Sequence, residues 1–183
     1  LTLAVTGWLV LVSARLFGTE ELRWQWTWLE LGGVPLAVDM LAGRFSCVIA
    51  LFISFFGLMI GLYSIRFTRQ DMARHQAYVL WTVGAALGAA LANNFFFLLF
   101  CWEVTTLMLY LLIAQAGEKA RPAAAKTFAL LGLSDCALLL AVIILVTVQP
   151  AAAQGMDRLA VKVDSSLLLI CFLLFLTAAL AKA

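Results

Sequence analysis

The sequence has 183 residues, of which 65% are hydrophobic and 12% are charged, and its mean hydropathy is +1.06. Because soluble domains carry about a quarter charged residues, this composition argues against a soluble protein and indicates an integral membrane chain. The net charge of +2 comes from 12 basic and 10 acidic residues without a long basic run, so no nucleic-acid partner is predicted.

The chain begins with an apolar stretch at 1–17 that is short for a membrane span, since a spanning helix needs about 20 apolar residues. We interpret it as a helix whose start has been cut off, and the whole chain as the N-terminal fragment of a longer protein. In residues 18–39, three tryptophans alternate with polar residues before a Gly-Gly pair and a proline. This pattern predicts a short extracytoplasmic hairpin at the water interface.

The remaining sequence predicts five further helices. A stretch of 37 residues from Tyr78 to Ala114 carries only one charge and is nearly twice as long as a span. The motif "ANN" at 92–94 divides it, because asparagine favours turns and helix N-caps over helix interiors. The predicted helices lie at 40–65, 78–92, 95–114, 124–148 and 165–183. The predicted fold class is therefore all-α, a polytopic transmembrane bundle of about six helices in a single domain.

Loop charges predict the orientation of the bundle. If successive helices alternate across the bilayer, one side collects six basic and two acidic residues, and the other side five basic and six acidic ones. Basic residues are enriched in cytoplasmic loops, so the first side is predicted to be cytoplasmic and the hairpin to face outward. We expect an integral protein of a bacterial inner membrane.

Three charges remain inside the predicted helices: Glu103, Asp135 and Lys182. A charge near the bilayer centre costs about 2.5–3.5 kcal/mol on insertion scales, so each is a candidate functional residue. At a rise of about 1.5 Å per residue, Glu103 and Asp135 lie about 12 and 14 Å from the outer side. Lys182 lies about 25 Å down and would miss Glu103 unless its helix starts later or is interrupted. The groups form either a proton relay or a fixed ion pair.

Other polar residues are accessory candidates or have simpler interpretations. Thr106 and Tyr110 share the helix face of Glu103 and either hold water beside it or bond within their own helix. Lys126 lies nine residues before Asp135, on the opposite face of the same helix, and is best explained as an interfacial lysine. The four single cysteines predict no metal site, and one histidine disfavours a haem carrier.

Several motifs, in their order along the chain, resemble those of a known family. They are a Trp-containing hairpin, Asp39 just before a span, "N-x-F-F-L-L-F-x-W-E" ending in Trp102 and Glu103, "K-T-F" followed by "S-D", and "A-K-A" around Lys182. This order resembles the antiporter-like membrane subunits of respiratory complex I, membrane-bound hydrogenases and multisubunit cation/proton antiporters. The resemblance covers nearly the whole chain, from the second to the seventh helix of a fold with about fourteen helices.

The resemblance implies a function and a set of site residues. It implies that Glu103 pairs with Lys182 in an interrupted helix, that making and breaking this pair moves protons, and that Asp135 matches an acid of the complex I type. It further implies other membrane subunits as partners. Because this sequence has neither a dinucleotide fingerprint nor clustered cysteine ligands, redox cofactors are expected in those partners and none in this chain. The sequence "LGLSD" differs from the usual complex I motif, so a hydrogenase-type or complex I-like relative fits equally well.

Three other functions remain open at the level of sequence. A subunit of a sodium/proton antiporter would use the same fold region and differ only in the ion. A retinal protein would use Lys182 for a Schiff base, and a scaffold subunit would use Glu103 only for packing or assembly.

Overall fold

The computed structural model describes residues 2–16, 21–31, 34–67, 71–153 and 155–182. These residues form six α-helices and one two-stranded hairpin, so the predicted helical bundle with its hairpin is confirmed. The helices are α1 (Thr2–Leu16), α2 (Arg44–Phe67), α3 (Met72–Leu91), α4 (Phe95–Ala114), α5 (Arg121–Val148) and α6 (Ser166–Lys182). The strands are β1 (Leu22–Leu31) and β2 (Val34–Ala42), and short 3-10 turns occupy Glu118–Ala120, Pro150–Ala153 and Met156–Arg158.

The two strands form an antiparallel hairpin between α1 and α2. Trp24 lies opposite Met40, and the register shifts next to Trp28, which is the mark of a β-bulge. The side chains of Trp24, Trp26 and Trp28 are all exposed. Tryptophan is enriched where a membrane meets water, and these indoles suit that position.

Each helix packs mainly against its neighbours in the sequence, and α1 also contacts α3. Two apolar cores result among the residues that the structure describes. One core lies between α2 and α3 and contains Ala50, Val79, Val83 and Leu87. The other joins α4, α5 and α6 and contains Phe95, Leu99, Leu138, Ala141, Val142, Leu145, Ala152, Cys171 and Ala178.

The turn between α3 and α4 falls where the motif "ANN" predicted it. Ala92 has an extended backbone, and the Asn94 side chain accepts a hydrogen bond of 2.8 Å from the backbone N–H of Phe96. Asn94 is thus the N-cap of α4, which satisfies one of the free N–H groups at the helix start. The cap ends the long apolar stretch and turns α4 back along α3.

By length and composition, three helical segments of the described chain can cross a membrane: Arg44–Arg66, Phe95–Ala114 and Glu118–Val148. The segments Thr2–Leu16 and Ser166–Lys182 are shorter apolar helices. Two helices begin before the positions predicted from hydropathy. The third helix begins at Met72 instead of 78, and α5 begins at Arg121 instead of 124, with a proline in its first turn. Charged residues are compatible with the first turn of a spanning helix because long side chains can extend to a polar interface, so a count of apolar residues alone places the helix start too late.

Candidate functional site

Asp135 lies at the middle of α5, 14 residues after Arg121 and 13 before Val148. Its side chain is almost fully buried, and each carboxylate oxygen has a neutral donor. The indole N–H of Trp102 donates to Oδ1 at 2.6 Å, and the hydroxyl of Thr106 donates to Oδ2 at 2.9 Å. Buried carboxylates need such partners, so α4 supplies part of the solvation that the acid loses on burial.

Lys182 brings a positive charge to the same place. Its Nζ lies 3.4 Å from Oδ1 of Asp135 and donates to the main-chain carbonyl of Trp102 at 3.0 Å. The ammonium also lies 4.0 Å from the centroid of the Trp102 ring, which is cation–π geometry. We call these four residues, Trp102, Thr106, Asp135 and Lys182, the Asp135 cluster.

Close packing of α5 against α6 makes this approach possible. Ala141 and Ala178 are fully buried, and small residues let two helices come near each other. The Ser134 hydroxyl donates to the carbonyl of Ala178 at 3.2 Å, and the Cys171 thiol donates to the carbonyl of Ala141 at 3.2 Å. Lysine side chains in helices point back toward the N-terminus, so Lys182 reaches Asp135 from the end of α6.

Glu103 follows Trp102 on α4 and has an exposed side chain. Among the described residues it makes no hydrogen bond or ion pair, but it interacts electrostatically with both Asp135 and Lys182. The structure therefore brings Lys182 onto Asp135, and it leaves Glu103 within the field of both groups without a direct contact. The ion pair implied by the resemblance, Glu103 with Lys182, is not formed in this state.

Asp135 lies near the middle of a helix that is longer than the apolar thickness of a membrane. With 28 residues, α5 is about 42 Å long, which exceeds a hydrocarbon core of about 30 Å. A residue in its middle is about 20 Å from either end of the helix, and the predicted depth of about 14 Å from the outer side of the bilayer stays a prediction. Residues 166–182 are continuous helix, so Lys182 meets Asp135 without an interruption before it.

Of the three accessory candidates, one belongs to the Asp135 cluster and two lie outside it. Thr106 belongs to the Asp135 cluster. Tyr110, one turn further along α4, packs its ring on Phe128 with centroids 5.2 Å apart. Lys126 is exposed near the start of α5 and does not join the cluster. Trp102 was quoted in the motif but not predicted as a site residue, although an indole N–H in an apolar helix calls for an acceptor.

A second polar cluster lies where the hairpin meets the helices. Asp39 on β2 is fully buried and accepts hydrogen bonds from Arg23 Nε at 3.1 Å, Arg23 Nη2 at 2.6 Å and Asn93 Nδ2 at 2.9 Å. Asn93 also donates to Asp157 Oδ1 at 2.9 Å, and Arg23 Nη1 lies 3.5 Å from Asp157 Oδ2. We call these four residues, Arg23, Asp39, Asn93 and Asp157, the hairpin clamp.

The hairpin clamp joins three segments that are distant in sequence. Backbone bonds support it: the N–H of Asn93 donates to the carbonyl of Asp39 at 2.8 Å, and the N–H of Met156 donates to the carbonyl of Asn93 at 2.8 Å. The hydrogen bond to Asp39 raises the pKa of Arg23, so its guanidinium stays charged. The clamp fixes the hairpin, the start of α4 and the loop before α6 against one another.

Comparison with known proteins agrees with this architecture. The sequence profile of the family described as "NADH:quinone oxidoreductase/Mrp antiporter, TM" matches residues 92–183, which is half of the chain and includes the whole Asp135 cluster. A search of curated proteins finds no match.

Two solved structures share the fold at low sequence identity. In the structure of the Mrp complex from Dietzia sp. DQ12-45-1b, one chain superimposes with a TM-score of 0.86 and 19% identity over 98% of this chain. In the membrane-bound sulfane sulfur reductase, an archaeal respiratory membrane complex, a chain superimposes with a TM-score of 0.76 and 17% identity over 97%. This chain covers 20% and 37% of those chains, so it spans a minor part of their length. The predicted resemblance is confirmed, and this integral membrane chain belongs to the NADH:quinone oxidoreductase/Mrp antiporter transmembrane family.

Proposed function

We propose that this chain is part of an antiporter-like subunit that translocates protons in a respiratory complex I-like or membrane-bound hydrogenase-type complex. Membership of the family and the likeness to chains of two membrane complexes support this assignment. The partners are other membrane subunits within a lipid bilayer, here a bacterial inner membrane. Redox cofactors belong to those partner subunits.

One observation carries the proposal: Lys182 pairs with one acid while a second acid, on the neighbouring helix, lies close enough to interact electrostatically with the pair. Lys182 lies on Asp135, while Glu103 interacts electrostatically with both. Two carboxylates and one ammonium leave a formal excess of one negative charge when all three are ionised. An uncompensated charge in an apolar environment is costly, so the group of three favours taking up one proton or another cation.

The position of Lys182 then decides which acid holds the proton. While the ammonium lies on Asp135, Glu103 is the acid without a direct cation and is the group that accepts the proton. If the ammonium moves toward Glu103, the attraction for that proton falls, because a nearby positive charge favours the ionised carboxylate. Alternation of Lys182 between the two acids is thus a physical mechanism for loading and releasing one proton.

The test uses the full-length protein in its complex, reconstituted into vesicles that contain a pH-sensitive dye. Glu103→Gln and Lys182→Met each remove one titratable group while keeping a side chain of similar size. Both are expected to abolish proton transport, and Glu118→Gln, which changes an exposed loop acid, should transport normally. Normal transport by Glu103→Gln or Lys182→Met in a correctly assembled complex would overturn the proposal.

A second candidate is a subunit of a multisubunit sodium/proton antiporter, and the likeness to the Mrp complex favours it. Glu103, Asp135 and Lys182 would serve it equally well, because they require only a cation that exchanges with the proton. Replacing sodium by choline in the same vesicles separates the two functions. Proton transport that stops without sodium favours the antiporter, and transport that continues favours the proton translocase.

A further inference from the structure

Trp102 contacts both charged partners of the Asp135 cluster with three different groups. Its indole N–H donates to Oδ1 of Asp135 at 2.6 Å, and its main-chain carbonyl accepts from Nζ of Lys182 at 3.0 Å. Its ring face lies 4.0 Å from the same Nζ. Oδ1 therefore accepts the hydrogen bond from the indole and also faces the ammonium, so the indole contacts both charged groups of the ion pair directly.

The surroundings fix the orientation of this ring. Trp102 is half-buried and packs against the core of α4, α5 and α6 that contains Leu99 and Leu138. An indole in such a packed site keeps its N–H and its π face in fixed directions. A flexible side chain could make the same contacts only by losing conformational entropy each time that Lys182 returned to Asp135.

The sequence position of Trp102 gives these contacts a consequence for Glu103. The two residues are adjacent on α4, so their side chains leave the helix about 100° apart. Lys182 lies on the side of α4 that carries Trp102, where the indole ring and the main-chain carbonyl both attract its ammonium. Glu103, about 100° further around α4, is the alternative carboxylate partner for Lys182.

We propose that Trp102 is a positioning residue that sets how Lys182 is distributed between Asp135 and Glu103. The inference rests on the proposed function and adds a residue to it. The indole N–H donates to the carboxylate of Asp135, and the ring face and carbonyl hold the ammonium beside it. Thr106 supplies the other oxygen of Asp135 with a donor but makes no contact with Lys182 among those found in the described chain.

The first test is the pH dependence of proton transport by the full-length protein in its reconstituted complex. Trp102→Phe keeps a ring and the carbonyl but loses the N–H donor. Asp135 then loses a donor that helps to keep Lys182 beside it, so Lys182 lies near Glu103 more often. Because a nearby positive charge favours the ionised carboxylate of Glu103, half-maximal transport should move to lower pH. Trp81→Phe, at an exposed tryptophan of α3, should leave the profile unchanged. A Trp102→Phe profile that coincides with that of the unaltered protein overturns the inference.

The second test observes the contact without relying on transport. Solid-state NMR of the complex with ¹⁵N-labelled indole identifies the Trp102 signal by its loss in Trp102→Phe. Asp135→Leu and Lys182→Met should each shift that signal, whereas Lys126→Met should not. A signal that responds to neither Asp135→Leu nor Lys182→Met overturns the inference even where Glu103→Gln abolishes transport. Normal transport by Glu103→Gln, with a responsive signal, removes the proposed function and leaves Trp102 only a structural contact.

Discussion

The ammonium of Lys182 lies 3.4 Å from the carboxylate of Asp135, although 47 positions separate the two residues in the sequence. Both side chains are largely buried, with 16% and 4% of their surfaces exposed. An ion pair of this kind gains little net stability over apolar side chains, because both charges lose their hydration. Breaking it is costly, because it leaves one charge buried and alone.

The stability of the Asp135 cluster should therefore be non-additive. Asp135→Leu alone leaves Lys182 without its anion and should lower the free energy of unfolding by about 3 kcal/mol. The double variant Asp135→Leu with Lys182→Met removes both charges and should recover most of that loss. Thermal unfolding of the full-length protein in detergent measures the cycle. If the losses of the two single variants, Asp135→Leu and Lys182→Met, simply add up to the loss of the double variant, a direct ion pair is contradicted.

Asn93 should matter more for stability than its neighbour Asn94. Its side chain makes three hydrogen bonds, two to the carboxylates of Asp39 and Asp157 and one from the backbone N–H of Asp157. Asn93→Ala should lower the free energy of unfolding by about 3 kcal/mol, because bonds to charged groups are the stronger ones. Asn94→Ala, which removes the α4 cap, should cost about 1 kcal/mol. Similar losses for both variants, measured by unfolding in detergent, would argue against the hairpin clamp.

Arg23 should hold the hairpin equally well at neutral and mildly alkaline pH. Its pKa is raised by the hydrogen bond to Asp39, and a raised pKa means that the stabilisation is lost only when pH rises through that value, far above neutrality. Backbone hydrogen exchange in β2, corrected for its intrinsic pH dependence, should stay constant over this range. Arg23→Met should accelerate it, and Arg23→Lys should do so less, because lysine keeps the charge but loses the two-pronged contact. A corrected exchange rate in β2 that rises toward alkaline pH in the unaltered protein would contradict a raised pKa of Arg23.

Much of the fold could be predicted from the sequence because its signals are local. Apolar runs predict spans, "ANN" predicts a turn, and an isolated charge such as Glu103 or Asp135 is visible against an apolar background. The partner of Lys182 could not be predicted, since its depth depends on where α5 and α6 end relative to the bilayer. Helix length alone does not fix those ends, because charged first turns extend past the apolar stretch.

The other features that the sequence did not predict are polar contacts between residues far apart in the chain. The bonds from Asn93 to Asp39 and Asp157 span 54 and 64 positions, and no periodicity or motif encodes such a distance. Asn93 was therefore predicted only as part of a turn. The polar contacts of Trp102 were missed for a related reason, since an indole in an apolar helix resembles packing bulk until its acceptor is known.

Gly57 provides a test of how closely α2 and α3 pack. A Cβ at this buried glycine would lie 2.6 Å from Cγ2 of Val83, so Gly57→Ala should lower the free energy of unfolding by about 1–3 kcal/mol. The cost should be smaller when Val83→Ala opens the space. Gly84→Ala is the matched control, because nothing lies within 4 Å of a Cβ there, and alanine favours a helix more than glycine does. Thermal unfolding in detergent measures all four variants, and a cost for Gly57→Ala that is independent of Val83→Ala would show that the two helices do not meet at this point.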